Sequence, residues 1–274
     1  MVDYLLKSGA CLAIFLLFYK LVLEKESIHV FKRYYLLGAL VVSFIIPKII
    51  FTEYVEVAAA PITVPITTDQ PMLVFEPVAP AVTDADMLDL PLILWTIYGL
   101  GVVLFGFKFL KNLRGIVQRI RKNPKYKINS ITNVLLSDIV PPHTFFHYIF
   151  LNKKKFEAQE IPEAVMLHEE THAKQKHSID VLFIELLQVL FWFNPLIYAV
   201  KKAIKLNHEF LADQAVVTKG VEASTYQNIL LAFSSKANQP ELVNSINYSS
   251  IKKRFTVMKK HTSKKAIWLR SLLL

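Results

Sequence analysis

The chain has 274 residues, of which 53% are hydrophobic and 20% are charged, and its formal net charge is +10 at pH 7. This apolar content is unusual for a soluble domain and indicates a membrane protein. A single cysteine excludes a disulfide framework and a cysteine-based metal site.

The first half of the chain contains three apolar segments, each close to the roughly 20 residues that a membrane-spanning helix needs. We predict helices at 4–23, 34–51 and 90–107, which form an N-terminal membrane domain over 1–110. Any one of them could be a buried core helix, but three with little else to bury them favour membrane spans. No convincing cleavage site follows the first segment, so we interpret it as a retained anchor and not as a signal peptide.

The charges of the loops predict the orientation in the membrane. The loop 52–89 has seven acidic residues and no Lys or Arg, whereas 108–127 has eight Lys or Arg and no acidic residue. By the positive-inside rule, the N-terminus and the loop 52–89 lie outside, and residues 108–178 lie in the cytoplasm. The Pro- and Ala-rich outer loop is either a passive linker or a segment that receives a signal or a partner.

Strand signals are concentrated in residues 126–156. Residues 134–136 are apolar, and residues 144–151 are aromatic and rich in strand-forming types. Pro141-Pro142 separates the two segments as a turn. We therefore predict a short hairpin or small sheet in this part of the chain.

The next segment reads His168-Glu169-Glu170-Thr171-His172, and Pro162 and Glu163 upstream are typical of a helix start. On a helix, His168 and His172 share a face and can bind one metal ion. Glu169 can then take a proton from a water molecule at the metal. Five residues alone also fit a helix whose polar side chains face solvent.

A third metal ligand is available in the predicted helix 203–217. A catalytic zinc site needs three protein ligands and one open position. Glu209 can complete the coordination, and Asp213, four residues later, can hold the second ring nitrogen of a ligand histidine. His208 is a competing ligand, but it lies about 100° round the helix from Glu209. Taken alone, this segment is also an ordinary amphipathic helix.

The apolar run 179–200 raises a question of topology. A single membrane crossing would place His172 and Glu209 on opposite sides of the bilayer, where they could not share a metal. We therefore predict that the run breaks at Asn194-Pro195 and doubles back, partly sunk in the membrane or packed against the other helices. Asp180, at its start, could then lie close to the zinc.

These features together resemble the BlaR/MecR-type antirepressor peptidases, a family of bacterial membrane zinc metallopeptidases that transmit a signal across the inner membrane. The resemblance covers roughly residues 1–220, with the membrane pattern in the first half and the motifs in the second. The matching stretches are 168–172, 177–180, 192–195 and 209–213.

The resemblance implies a gluzincin-like core in which His168, His172 and Glu209 bind one zinc ion and Glu169 is the general base. It also implies a protein substrate, either a cytosolic repressor or the chain itself. The best-known members carry an extracellular penicillin-binding sensor domain. These 274 residues have no counterpart to it, so a β-lactam signal is not implied.

Two further segments complete the prediction. In zinc peptidases of this type a strand near the metal binds substrate by strand addition, and Phe146, His147 and Tyr148 are candidates for that role; a purely structural hairpin is the alternative. Residues 236–274 combine a basic stretch at 252–265 with an apolar end, which we interpret as a juxtamembrane segment and the start of a truncated transmembrane helix. Without a recognition motif, we expect lipid and not nucleic acid to be the partner of the basic stretch.

The sequence therefore predicts a mainly α membrane protein with three N-terminal transmembrane helices and a cytoplasmic α+β zinc metallopeptidase core at 111–235. Its predicted partners are the bilayer and a protein or peptide substrate, and its predicted location is the bacterial inner membrane. The rival hypothesis is a non-catalytic signal transducer or docking protein that keeps a zinc-site fold. The intact Glu169 favours the enzyme, because a structural zinc has no need of a base.

Overall fold

The computed structural model describes residues 2–49, 90–138, 140–235 and 241–258, and the outer loop 52–89 and the segment 259–274 lie outside them. The fold is mainly helical with one small mixed sheet, which confirms the predicted fold class. The helices are α1 (Val2–Phe18), α2 (His29–Ile45), α3 (Leu90–Lys122), α4 (Lys153–Glu157), α5 (Glu163–Lys174), α6 (His177–Leu190), α7 (Pro195–Thr218), α8 (Ala223–Ser235) and α9 (Glu241–Met258). The strands are β1 (Lys125–Ile128), β2 (Ile131–Leu136), β3 (His143–Phe145) and β4 (Tyr148–Asn152).

Three helical segments among the described residues are long and apolar enough to cross a membrane, namely Asp3–Leu23, His29–Lys48 and Leu90–Lys122. The second begins five residues before the predicted start at 34. Its early basic residues are compatible with the helix because they have partners: Lys32 donates to the Glu24 carbonyl, and Arg33 pairs with Asp180.

The helix α3 extends well beyond its predicted end at 107. Its 33 residues make it about 50 Å long, which exceeds the roughly 30 Å thickness of a bilayer core. The basic second half leaves the apolar segment and covers one face of the sheet, where Ile116 and Ile120 pack on the buried Val134 and Phe150. The other face of the sheet packs on α5.

The sheet has the strand order β1-β2-β4-β3, with β2 parallel to β4 and the other two pairs antiparallel. The prediction of one continuous strand at 144–151 is wrong. Phe146 adopts a left-handed backbone conformation with φ of 54°, and its N–H donates to the Ser178 hydroxyl at 2.7 Å. This tertiary contact turns the chain between β3 and β4, so that a hairpin replaces the single strand. Pro141-Pro142 lies in the connection from β2 to β3, between the two strand segments that it was predicted to separate.

The apolar run 179–200 forms a helical hairpin that breaks at the predicted place. Asn194 accepts a hydrogen bond from the Leu196 N–H at 2.9 Å and caps α7, whose first residue is Pro195. The ion pair between Glu185 and Lys201, with its two atoms 2.7 Å apart, shows that α7 returns alongside α6.

One buried apolar cluster joins this hairpin to the first two helices. Its members come from α1, the π-helical turn Tyr19–Leu23 that follows it, α2, α6 and α7: Leu12, Leu16, Tyr19, Leu23, Leu36, Leu40, Ile184, Ile197, Val200 and Ile204. Near the hairpin turn, the rings of Phe44 and Phe191 stack with centroids 4.5 Å apart. The core therefore runs across the predicted boundary at residue 110, and the division of the chain into three domains stays a prediction.

The helix α3 docks on the hairpin through a glycine, which allows a test of that contact. A Cβ atom at Gly101 would lie 2.1–2.5 Å from the Trp192 indole, whereas one at Gly99 would meet nothing within 4 Å. We expect Gly101→Val to lower the free energy of unfolding by about 1–3 kcal/mol, because the indole must move. Unfolding in mixed detergent micelles measures the change, with Gly99→Val as the matched control. Equal effects of the two substitutions would contradict this docking.

Candidate metal centre

The helices α5 and α7 bring three predicted ligands to one point. The His168 and His172 Nε2 atoms lie 3.2 Å apart, and the Glu209 carboxylate oxygens lie 3.4 Å from the first and 3.6 Å from the second. Among the described residues, these three side chains form the group that could hold a metal ion. The local reason is the helical repeat: four residues separate the two histidines, so their rings share one face of α5.

These separations fit a tetrahedral zinc site. Ligand atoms about 2.0–2.1 Å from a tetrahedral zinc stand about 3.3 Å from one another. This is close to the 3.2 Å between the two histidine nitrogens and to the 3.4 Å from His168 Nε2 to Glu209 Oε2, while the other carboxylate oxygen, Oε1, is the one 3.6 Å from His172 Nε2. The neighbourhood also attracts positive charge. Burial lowers the pKa of His168, but hydrogen bonds and charge from Asp213 and Glu209 outweigh it and raise the pKa to about 10. The negative charges of Asp213 and Glu209 would stabilise a bound metal cation in the same way.

The hydrogen bonds of His168 orient its ring for metal binding. Its Nδ1 lies 2.8 Å from the Tyr226 hydroxyl, which donates to the Asp213 carboxylate at 2.9 Å. The carboxylate itself lies 3.3 Å from Nδ1. All partners are satisfied when Nδ1 carries the proton, and this tautomer leaves the Nε2 lone pair free for a metal.

Hydrogen bonds orient the ring of His172 for metal binding in the same way. Its Nδ1 lies 2.8 Å from Nδ1 of His177, whose Nε2 lies 3.0 Å from the Gln175 side-chain oxygen. That oxygen can only accept, so His177 donates to it through Nε2 and accepts from His172 through Nδ1. Burial, followed by the neighbouring His208 and His172, holds the pKa of His177 well below its ordinary value, which keeps it a neutral acceptor. His172 therefore also presents a free Nε2.

Glu169 stands beside the ligand group in a cavity of about 440 Å³. The Thr144 hydroxyl lies 2.7 Å from its carboxylate and 3.0 Å from its backbone carbonyl, which fixes the carboxylate against β3. Burial raises the pKa of Glu169 above its ordinary value. A carboxylate with a raised pKa binds a proton more readily and is suited to take one from water and release it again.

Asp213 and Asp180, which were both predicted to lie near the zinc, make different contacts. Asp213 contacts His168, as the helical spacing predicts, whereas Asp180 does not contact a candidate ligand. Asp180 pairs with Arg33 and with Nε2 of His208 at 2.8 Å. His208 therefore points away from the ligand group, and the structure favours Glu209 over it.

The predicted substrate-binding residues Phe146, His147 and Tyr148 do not line the cavity; the residues that precede them in the chain do. Phe146 and His147 form the turn between β3 and β4, and Tyr148 begins the inner strand β4. The residues that line the cavity from this region are Pro141, Pro142, His143, Thr144 and Phe145. The physical reason is again the left-handed Phe146, which carries the chain away from the cavity.

Arg254 of α9 is a site residue that the sequence did not indicate. Its guanidinium forms two hydrogen bonds with the Asp213 carboxylate, at 2.6 and 2.8 Å, and lies 3.1 Å from the Glu209 carboxylate. In the sequence, Arg254 belongs to the basic stretch 252–265, whose charges are expected to face lipid. One signal was available: it is an arginine preceded by two lysines, and arginine is the residue suited to a forked contact with carboxylates.

Removal of Arg254 should destabilise the protein. Its side chain is 12% exposed and that of Asp213 is 3% exposed, so Arg254→Met leaves a buried carboxylate without its guanidinium partner. We expect the free energy of unfolding to fall by about 3 kcal/mol, measured by denaturation in detergent. Lys252→Met, at an exposed position of the same helix, is the matched control and should change little. An equal effect of both substitutions would mean that the charge of α9, and not this pair, is stabilising.

Comparison with known proteins gives a consistent result. Residues 146–258 match the family model described as BlaR1 peptidase M56. The chain is similar to the regulatory protein BlaR1 of Bacillus licheniformis (34% identity over 109 residues) and that of Staphylococcus aureus (27% over 137 residues). The two alignments cover 38% and 42% of this chain but 18% and 23% of the two relatives. The aligned part of the chain therefore corresponds to less than a quarter of the length of each relative. Residues 146–258 therefore resemble the BlaR1 peptidase M56 family.

Proposed function

We propose that this protein is a membrane-embedded zinc metallopeptidase that hydrolyses a peptide bond in a protein substrate as part of transmembrane signalling. One observation carries the proposal: two imidazole nitrogens and a carboxylate stand at tetrahedral ligand separations, next to the buried Glu169, in one cavity. The similarity of residues 146–258 to a peptidase family supports it.

In the proposed reaction, His168, His172 and Glu209 hold the zinc ion. When bound, zinc supplies Lewis acidity, which polarises the scissile carbonyl and lowers the pKa of water to about 7. Glu169 takes a proton from the attacking water and delivers it to the amine that leaves. The Thr144 hydroxyl keeps the Glu169 carboxylate on the side of the cavity that faces β3.

The proposed substrate site is the edge of the sheet. Among the described strands, β3 is the last in the sheet order, and all three of its residues, His143–Phe145, line the cavity. An extended peptide that pairs with β3 would lie along the side of the cavity where Glu169 stands. This mode of binding requires a substrate segment without secondary structure, such as a linker or a loop.

The proposed location is the bacterial inner membrane with the metal centre on the cytoplasmic side. The three membrane-length helices and the charge difference between the loops support it. The hairpin of α6 and α7 places His172 and Glu209 on the same side, as a shared metal requires. A cytosolic repressor or the chain itself is the proposed substrate, by similarity to relatives that are named regulatory proteins.

Metal removal in proteoliposomes tests the proposal. We expect one zinc ion per purified chain, loss of proteolysis on treatment with a chelator, and recovery when zinc is added back. Mass spectrometry of the protein itself and of co-reconstituted repressor candidates detects the cleavage. If zinc binds but no cleavage occurs while signalling in cells depends on the site, the protein is a non-catalytic transducer and the enzyme proposal is wrong.

A further inference from the structure

A membrane-length helix contacts the surroundings of the metal centre through one arginine. Arg33 lies in the first turns of α2, and its side chain is 15% exposed. Its Nε donates to Asp180 at 2.6 Å, and its Nη2 donates to the same carboxylate at 3.2 Å and to the Gln175 carbonyl at 2.9 Å. The guanidinium thus holds the end of α5 and the start of α6 together.

The two contacts of Arg33 converge on His177. On one side, Asp180 accepts a hydrogen bond from Nε2 of His208, whose ring lies parallel to that of His177 with centroids 4.0 Å apart. On the other side, the Gln175 side chain accepts from Nε2 of His177. The His177 ring is therefore held at its face by His208, which Arg33 reaches through Asp180, and at its edge by Gln175, whose backbone Arg33 contacts.

His177 is in turn the acceptor for Nδ1 of the proposed zinc ligand His172, at 2.8 Å. We propose that Arg33 of α2 is a positioning residue that orients the zinc ligand His172 through His177. The inference rests on the proposed zinc site and adds to it a residue outside the region 146–258 that matches the family model. It connects the metal centre, through Gln175, Asp180 and His177, to a helix that is proposed to cross the membrane.

The geometry explains why this position requires arginine. One planar guanidinium reaches a carboxylate with two nitrogens and a backbone carbonyl with one of them, whereas the single ammonium of lysine cannot hold the same fixed fork. Residues that hold the second nitrogen of a metal-binding histidine typically contribute 10–100-fold to metal affinity. Arg33 lies at least two contacts beyond His177, so we expect its contribution at the lower end of this range.

Zinc affinity of the full chain in nanodiscs, measured by competition with a chromogenic chelator, tests the inference. We expect Arg33→Gln to weaken zinc binding about 10-fold and Arg33→Lys to weaken it less. Substitution of Co²⁺ for zinc gives a second measurement, since its visible absorption should change as His172 loses its orientation. Lys20→Gln, which removes a positive charge from an exposed position in the turn after α1, should change neither quantity.

A double substitution separates positioning from general stabilisation. His177→Phe keeps a ring beside His208 but removes the acceptor for His172, so in this background Arg33→Gln should cause no further loss of zinc affinity. A further loss of the same size, or an unchanged affinity in the otherwise native chain, overturns the inference while leaving the zinc site intact. If the native chain binds no zinc, the proposed function itself fails. The unfolding midpoints of the zinc-free variants control for loss of fold.

Discussion

Glu169→Gln is expected to abolish proteolysis while the protein keeps its zinc. Glutamine has nearly the same shape and can still accept from Thr144, but it cannot carry a proton from water to the leaving amine. General acid–base catalysis typically contributes 10²–10⁴-fold, so we expect the cleavage rate to fall by at least about 100-fold. The measurement is single-turnover cleavage in proteoliposomes, with the bound zinc assayed in the same sample.

The adjacent Glu170 provides the matched control. It lies one position further along α5 and pairs with Lys174 at 2.6 Å at the surface of the helix. Glu170→Gln should leave both zinc content and cleavage close to those of the native protein, because an exposed pair contributes little. Cleavage that survives in Glu169→Gln would assign the proton transfer to another group.

Glu209→Gln is expected to remove the zinc itself. The substitution takes away the negative ligand that stands 3.4 and 3.6 Å from the two imidazole nitrogens, and it leaves a site of two neutral histidines. We expect the loss of zinc affinity to exceed the 10–100-fold that residues behind the ligands contribute. Competition with a chelator measures it, and zinc content after dialysis gives an independent reading.

The comparison with His208→Gln distinguishes the two ligand assignments that the helix pattern allows. Nε2 of His208 is directed at Asp180, so its substitution should weaken zinc binding by no more than about 10-fold, as expected for an indirect contact. The reverse order of effects, with His208→Gln the more damaging, would mean that the two side chains exchange roles when the metal binds.

The sequence predicts which side chains of α5 and of α7 share a face because that information is local. Two histidines four apart on one helix share a face whatever surrounds them, and the same holds for Glu209 and Asp213 on α7. The break at Asn194 is local as well, since an asparagine cap followed by proline favours a helix start in almost any context.

The missed features all depend on tertiary contacts. Strand-forming residues continue through Phe146, and the chain turns there because Ser178, far along the sequence, accepts its N–H. Arg254 joins the centre because α9 packs on α7, which no pattern within 252–265 reveals. The second half of α3 is helical beyond its apolar segment because the sheet offers Ile116 and Ile120 a buried surface.

The apolar cluster shared by α1, α2, α6 and α7 bears on the biosynthesis of the protein. The ribosome produces α1 and α2 first, and the ligand His172 emerges before Glu209. In the proposed topology, the zinc site is completed when the hairpin of α6 and α7 docks on the first two helices inside the bilayer. The proposed zinc site would therefore stay incomplete in the nascent chain until α7, which carries Glu209, has been synthesised and has packed.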